Sequence, residues 1–310
     1  MLSVIIPAYN EEKMIRKTNT VISNLLSEEG IEFEIIFIND GSTDETWDEI
    51  HHVCKEHPVT KSLSFSRNFG KEAAMFAGMA YAAGECCVII DCDLQHPPEI
   101  IIKMYHLWQE GYEVVEGVKS ARGGVKESKV HLFAVRSFYR MISKATGIDM
   151  SNASDFKLLD KKVVQVLLSM PEKQVFFRAL SSWVGFKNTS VVFDVQRREF
   201  GETKWSTASL IKYALSNISS FSAAPMQIVT IAGICFLIFA GIFGIQTLIF
   251  YWLGKSLEGF STVILLLLIM GSILMISLGI IGYYISKIYD EIKGRPKYIV
   301  AESLNMENKT

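Results

Sequence analysis

Two carboxylates, Asp91 and Asp93, stand two residues apart at the end of a short apolar run, Cys86-Cys87-Val88-Ile89-Ile90, and Leu94-Gln95-His96-Pro97-Pro98 follows at once. Such a pair suits a hard divalent cation, Mg2+ or Mn2+, that also grips a substrate diphosphate. The cation would serve as Lewis acid and charge sink for a leaving group. An Asp-x-Asp alone says little, since most such pairs are solvated loop acids. Position gives this one weight. The apolar run reads as a buried strand, so the acids project from its C-terminal edge, where open α/β sheets hold their ligands. Lys71, just inside an expected helix start, is placed to reach a phosphate, helped by exposed backbone N–H groups.

The elements that must carry these residues alternate along the chain. Ser3-Val4-Ile5-Ile6-Pro7-Ala8-Tyr9-Asn10-Glu11 reads as a strand, and a helix is expected from about Glu12 to Leu26. A second strand, Glu34 to Ile38, ends in Asn39-Asp40-Gly41-Ser42-Thr43-Asp44; Thr43 or Asp44 would cap a helix over about Glu45 to Glu56. Ser66-Arg67-Asn68-Phe69-Gly70-Lys71 then opens the helix carrying Ala73 to Gly78. Strands alternating with helices predict an α/β fold, its mainly parallel sheet covered on both faces. Polar, glycine-containing turns after successive strands make one rim of that sheet a nucleotide-sized binding edge. No G-x-G-x-x-G follows the first strand, which disfavours a dinucleotide-dependent oxidoreductase.

At 49% hydrophobic residues and mean hydropathy +0.25, the 310-residue chain is too apolar for an ordinary soluble enzyme. The surplus lies late: no charged residue occurs from Met226 to Leu253, and none from Phe260 to Ser286. Each stretch exceeds the roughly 20 residues that cross a hydrocarbon core. Tyr251, Trp252, Tyr283 and Tyr284 suit interfacial aromatic belts. Lys287, Lys293, Arg295 and Lys297 follow the second stretch, and positive-inside bias puts them, with the N-terminal domain, in the cytoplasm. The expected organisation is a catalytic domain over 1–205 and a juxtamembrane amphipathic segment over 206–225, ended by Pro225. A hairpin of two transmembrane helices follows, 226–253 and 260–286, joined by an extracytoplasmic loop 254–259, and the cytoplasmic tail is 287–310. A net charge of −2 gives no signature for nucleic acid. Cys54, Cys86, Cys87, Cys92 and Cys235 form no C-x-x-C pair and read as reduced core residues.

Pro7-Ala8-Tyr9-Asn10-Glu11, Asn39 to Asp44, Asp91 to Pro98, Ser154-Asp155-Phe156-Lys157-Leu158-Leu159 and Gly201-Glu202-Thr203-Lys204-Trp205 occur in one order. In that order they resemble the family 2 glycosyltransferases of GT-A fold, and more narrowly the polyprenyl-phosphate glycosyltransferases: dolichol-phosphate mannose synthase and the bactoprenol glucosyltransferases. The likeness extends to the segment Ile288 to Pro296. It implies that Pro7, Ala8, Tyr9 and Glu11 line a nucleoside pocket, that Asp40 hydrogen-bonds the base, and that Asp91 and Asp93 hold the metal. Gln95 is implied near metal or sugar, and Asp155 as the catalytic aspartate, in a base or positioning role. Arg122, Arg136, Arg198 and Lys204 are candidates for the acceptor phosphate. Val195 stands where family members often carry a further arginine, which leaves the phosphate contacts open. Trp205 either closes the loop over the site or packs at the membrane surface.

The activity implied is inverting, non-processive transfer of a hexose, glucose or N-acetylglucosamine, from a UDP-sugar to undecaprenyl phosphate. It would take place on the cytoplasmic leaflet of the plasma membrane. The acceptor is already anionic and needs less help from a general base than a sugar hydroxyl. The lipid bilayer, a homo-oligomer, a downstream flippase and a membrane transferase are partners compatible with it. A dolichol-phosphate mannose synthase-like enzyme using a GDP-sugar is one alternative. A non-catalytic partner of a lipid-sugar flippase is another, against which the intact Asp91, Asp93 and Asp155 stand. A processive synthase should show Q-x-x-R-W, which Gln196-Arg197-Arg198-Glu199 does not supply.

Overall fold

The computed structural model describes residues 1–120, 154–172, 176–194, 224–254 and 259–306. It has two compact units, Met1–Thr207 with Pro296–Thr310, and Ala208–Arg295. In the first unit β1 (Leu2–Ala8) lies between β2 (Phe33–Asn39) and β4 (Cys86–Ile89), with β3 (Thr60–Phe65) outside β2, all four parallel. β6 (Lys157–Asp160) runs antiparallel between β4 and β5 (Val114–Lys119), and β7 (Asn188–Phe193) is parallel to β5. β8 (Val300–Leu304) is antiparallel to β3, giving the order β7-β5-β6-β4-β1-β2-β3-β8. The chain reverses its direction of travel at β1. The turns leaving β1 and β4 therefore part and leave a crevice at the carboxyl edge.

Burial explains the strands. Every residue of β1 but Pro7 is buried, because helices cover both faces. Val4, Ile6 and Ala8 share a core with Phe37, Val88 and residues of α1 (Ile15–Glu28), α2 (Thr46–Glu56) and α4 (Glu99–Gln109). Each large aliphatic side chain so enclosed is worth about 1.5–3 kcal/mol. On the other face Ile5 meets α3 (Lys71–Tyr81) so closely that a Cβ on Gly78 would fall 2.3 Å from Ile5 Cγ2. α5 (Lys161–Ser169) packs on α3, and α6 (Phe177–Trp183) brings Phe177 edge-on to Phe76, centroids 6.5 Å apart. α1 starts at Ile15 rather than Glu12, because residues 12–14 form a turn in which the Met14 N–H donates to the Glu11 carbonyl at 2.9 Å. The N–H groups of Glu11 and Glu12 donate to Thr46 Oγ1 (2.8 Å) and the Asp44 carboxylate (3.4 Å), fixing that turn against the start of α2.

The segment expected as the cytoplasmic tail supplies an edge strand of the sheet, β8. Val300-Ala301-Glu302-Ser303-Leu304 is short and polar, so its sequence carries no strand signal. It is held by its ladder to β3 and by Asn305 Nδ2, which donates to the carbonyls of Cys54 and Thr60 at 2.8 Å.

The second unit contains α7 (Ala224–Trp252) and α8 (Phe260–Ile292), packed on each other. Pro225 sits in the first turn of α7, where its missing N–H has no partner to lose. α8 runs past Ser286, the last residue of the uncharged stretch, to Ile292. Among the described residues one stretch, Ile269–Ile292, is long and apolar enough to cross a membrane, and Ile231–Gln246 is a shorter apolar helical stretch. Leu237 and Met275 are at least 70% exposed, an apolar surface that water does not favour. Residues 206–223 and 255–258, expected as most of the juxtamembrane segment and loop, lie outside the described residues.

Candidate active site

The crevice is a cavity of about 300 Å3 lined by Pro7, Ala8, Tyr9, Glu11, Asp40, Asn68, Gly70, Lys71, Asp91, Cys92 and Asp93. The turns that wall it hold one another. Asn10, left-handed at φ 55°, donates its N–H to Ser42 Oγ (3.0 Å) and accepts the Thr43 N–H (2.9 Å). Glu12 accepts the Glu45 N–H at 3.1 Å. Asp40 is buried and accepts the N–H groups of Phe69 (2.7 Å) and Gly70 (2.9 Å), tying the turn after β2 to loop 66–70. Burial raises its pKa against the pull of those two donors. Gly41 completes the junction: at φ 63° a Cβ there would lie 2.3 Å from the Arg67 carbonyl carbon.

Asp91 and Asp93 leave the end of β4 on either side of buried Cys92, whose carbonyl accepts the Thr18 hydroxyl at 2.7 Å. That bond pins the turn to α1. Leu94 adopts φ 53°, a strained conformation for its type, with its side chain packed against the core. Gln95 donates its N–H to Asp93 Oδ1 at 3.1 Å. Lys71, the first residue of α3, places Nζ 2.5 Å from Asp91 Oδ1 and 3.1 Å from Asp155 Oδ2. Arg178, from α6, grips Asp155 with Nε on Oδ1 (2.7 Å) and Nη2 on Oδ2 (2.9 Å). Charges thus alternate from Asp91 through Lys71 and Asp155 to Arg178. Burial opposes each ionised form, but these partners outweigh it. Asp155 is held well below the usual carboxylate range, Asp91 is lowered, and Lys71 is raised. At Glu72 burial, with the nearby Asp155, outweighs the Phe177 N–H, Arg178 and Lys71 and raises the carboxyl to about 7.

Among the described residues no group of three or more His, Cys, Asp or Glu side chains is placed to hold an ion. Two carboxylates on one cavity nevertheless have the chemistry to hold a Mg2+ or Mn2+ whose other ligands would come from a diphosphate and water.

The structure brings Pro7, Ala8, Tyr9, Glu11, Asp40, Lys71, Asp91 and Asp93 together around the cavity. Asp155 joins them through Lys71, while Gln95 is absent from the lining. Arg122, Arg136, Arg198, Lys204 and Trp205 lie outside the described residues. Arg178 escaped the sequence reading because nothing in its spacing ties it to an aspartate 23 positions earlier. Lys157 left a faint signal, a cation within the apolar run Phe156-Lys157-Leu158-Leu159. It is fully buried, bonded to Glu116 (3.0 Å) and Ser181 Oγ (2.8 Å), and so ties β6 to the helix bearing Arg178. Burial lowers its pKa, against the pull of Glu116. His96, also buried, stacks on Phe156 at 4.9 Å, and its Nδ1 has no partner among the described residues.

Interlocked turns, paired carboxylates and a lysine at a helix start are gathered at the carboxyl edge of parallel strands, the edge at which open α/β sheets hold ligands. The chain belongs to glycosyl transferase family 2, whose family model matches residues 3–168. It is a glycosyltransferase with a GT-A-like, mostly parallel sheet. The chain is similar, at 38% identity over 99% of its length and 95% of the relative's, to the uncharacterized glycosyltransferase YkcC of Bacillus subtilis. It is 35% identical to the prophage bactoprenol glucosyl transferase homolog of Escherichia coli, over 96% of this chain and 98% of that one. To the bactoprenol glucosyl transferase of Shigella phage SfII it is 34% identical, over 97% of this chain and 98% of that one.

Proposed function

We propose that this glycosyltransferase transfers a hexose, glucose or N-acetylglucosamine, from a UDP-sugar to undecaprenyl phosphate, without processivity and with inversion. The observation that carries the reading is similarity to bactoprenol glucosyl transferases over 96–97% of the chain. The nucleoside enters between Pro7, Ala8, Tyr9, Glu11 and the loop anchored by Asp40. Asp91 and Asp93 would hold a divalent cation, which supplies charge neutralisation to the departing nucleotide. Lys71 is within reach of the diphosphate that such a cavity takes. Arg122, Arg136, Arg198 and Lys204 are the cations proposed for the acceptor phosphate.

An acceptor phosphate oxygen attacks the anomeric carbon from the face opposite the nucleoside diphosphate. The new C–O bond forms as the old one breaks, and configuration inverts. The nucleophile is already an anion, so no proton must be removed from it. That fits Asp155, whose two oxygens are both engaged by cations, as a positioning anion rather than a base.

Topology supports both flanks of the apolar helices lying on one side of a membrane. β8 follows α8 in the chain yet is hydrogen-bonded into the sheet that holds β1 to β4. A chain that crosses a membrane between β7 and β8 must therefore cross an even number of times, which favours a hairpin, with 226–253 as the first span and 260–286 as the second, over a single span. Incubating membranes with a panel of UDP- and GDP-sugars plus undecaprenyl phosphate, with mass identification of the lipid product, tests the function. A hexosyl lipid formed from a UDP-sugar, dependent on added Mg2+ or Mn2+, is expected. Product from a GDP-sugar alone would overturn the donor assignment.

A further inference from the structure

We infer that Tyr298, in the segment after α8, is a positioning residue for the donor side of the cavity. It lies outside the family-matched residues 3–168. Its ring stacks on Phe65, the last residue of β3, with centroids 5.1 Å apart and planes 11° apart. Phe65 in turn meets Phe69 edge-on at 5.8 Å, and the Arg67 guanidinium sits 4.5 Å over the Phe69 ring. The backbone repeats the connection. The β3–β8 register shifts between Ser64 and Phe65, and the Ile299 carbonyl then accepts the N–H of Ser66, the first residue of the loop, at 3.1 Å. Beside it, Lys297 lies 4.8 Å over Phe76 of α3.

Loop 66–70 is thus held from two sides. Asp40 takes the N–H groups of Phe69 and Gly70 from within, and the Tyr298-Phe65-Phe69 stack clasps the loop from without. Asn68, Gly70 and Lys71, the cavity wall, follow from how that loop is set. A surface loop keeps a single conformation only where contacts offset its lost freedom, and offset-stacked and edge-on aromatic pairs provide such contacts. Tyr298 is not among the lining residues and acts through Phe65 and Phe69.

The proposal rests on the reading that the cavity takes a nucleotide sugar, and the experiment separates the two. Full-length protein in detergent is compared as wild type, Tyr298→Ala, Tyr298→Phe and Glu302→Gln. The last removes the charge from the β8 side chain that accepts the Trp47 Nε1–H (3.2 Å), away from the loop. In Tyr298→Ala, amide exchange of residues 66–70 should quicken while β1 and β4 stay protected. The donor KM should rise about three- to tenfold, the worth of one aromatic pair. Turnover at saturating donor should stay within about twofold of wild type. Tyr298→Phe should restore both readouts, and Glu302→Gln should leave both unchanged. Unaltered exchange in 66–70 overturns the proposal, as does a loss of protection spread over the whole sheet or a Glu302→Gln variant that matches Tyr298→Ala. If wild type binds no nucleotide sugar, the functional reading fails, and the exchange comparison alone decides the role of Tyr298.

Discussion

Arg178 decides what Asp155 can do. A carboxylate gripped on both oxygens by a guanidinium cannot rotate to follow a substrate, and its remaining neighbour, Lys71, links it to Asp91. Replacing Arg178 by glutamine leaves a mostly buried anion with one cation in place of two. Unfolding should become easier by about 1–3 kcal/mol, less than for a fully buried pair because Arg178 is partly exposed. Hexose transfer should fall at least about tenfold, with part recovered in Arg178→Lys, which restores charge but not the fork. Denaturant titration and the lipid-product assay measure the two effects; transfer at the wild-type rate in Arg178→Gln would remove Arg178 from the site. Glu72 gives a second handle. Its carboxyl, raised to about 7 from an ordinary 4.5, binds its proton more tightly in the folded than in the unfolded state. The stability it lends is therefore complete below about pH 4.5 and lost as pH rises through about 7. Glu72→Gln should exceed wild type in stability by about 1–2 kcal/mol at about pH 8 and match it near pH 4. Unfolding midpoints across that range provide the check, and a gap that does not change with pH would show that Glu72 does not titrate in this way.

The turns do more structural work than their sequence announces. Asn10 bonds Ser42 and Thr43, and Asp44 accepts the Glu12 N–H, so these polar residues of two loops act as a lattice that shapes the cavity. Gly41 is where the lattice is tightest. Gly41→Ala combines a left-handed alanine, costing about 1–2 kcal/mol, with a Cβ driven against the Arg67–Asn68 backbone. The loop must shift, and donor affinity should drop at least about tenfold while β1 and β4 remain folded. Titration with nucleotide sugar, beside circular dichroism, tests this; unchanged affinity would mean that loop 66–70 does not shape the donor site. β1, β2 and β4, and the start of α3 at Lys71, were legible because unbroken apolar runs end in polar, glycine-bearing turns. Helix starts were less so: a turn precedes α1, held by the Thr46 and Asp44 side chains across the loops, a tertiary contact that no local pattern encodes. Arg178 and the Lys157–Glu116 pair were hidden for the same reason. Their meaning lies in partners that only the sheet brings near.

With both flanks of the apolar helices in one sheet, orientation becomes a question of which side that sheet occupies. Cysteine at Ser256, after Cys235 is replaced, should react with an impermeant thiol reagent on intact cells, and cysteine at Ser303 should not. The four remaining cysteines are buried and should stay silent. The reverse pattern would put the cavity on the side away from cytosolic nucleotide sugars. The same chain path also sets an order of assembly. β8 can take its place on β3 only after α7 and α8 have been synthesised. Until then β3 presents an open edge, able to pair with a strand of another chain. A nascent protein held up at its apolar helices would be an unfinished enzyme with a reactive border. Completion of the catalytic sheet thereby reports that the apolar helices have already been made.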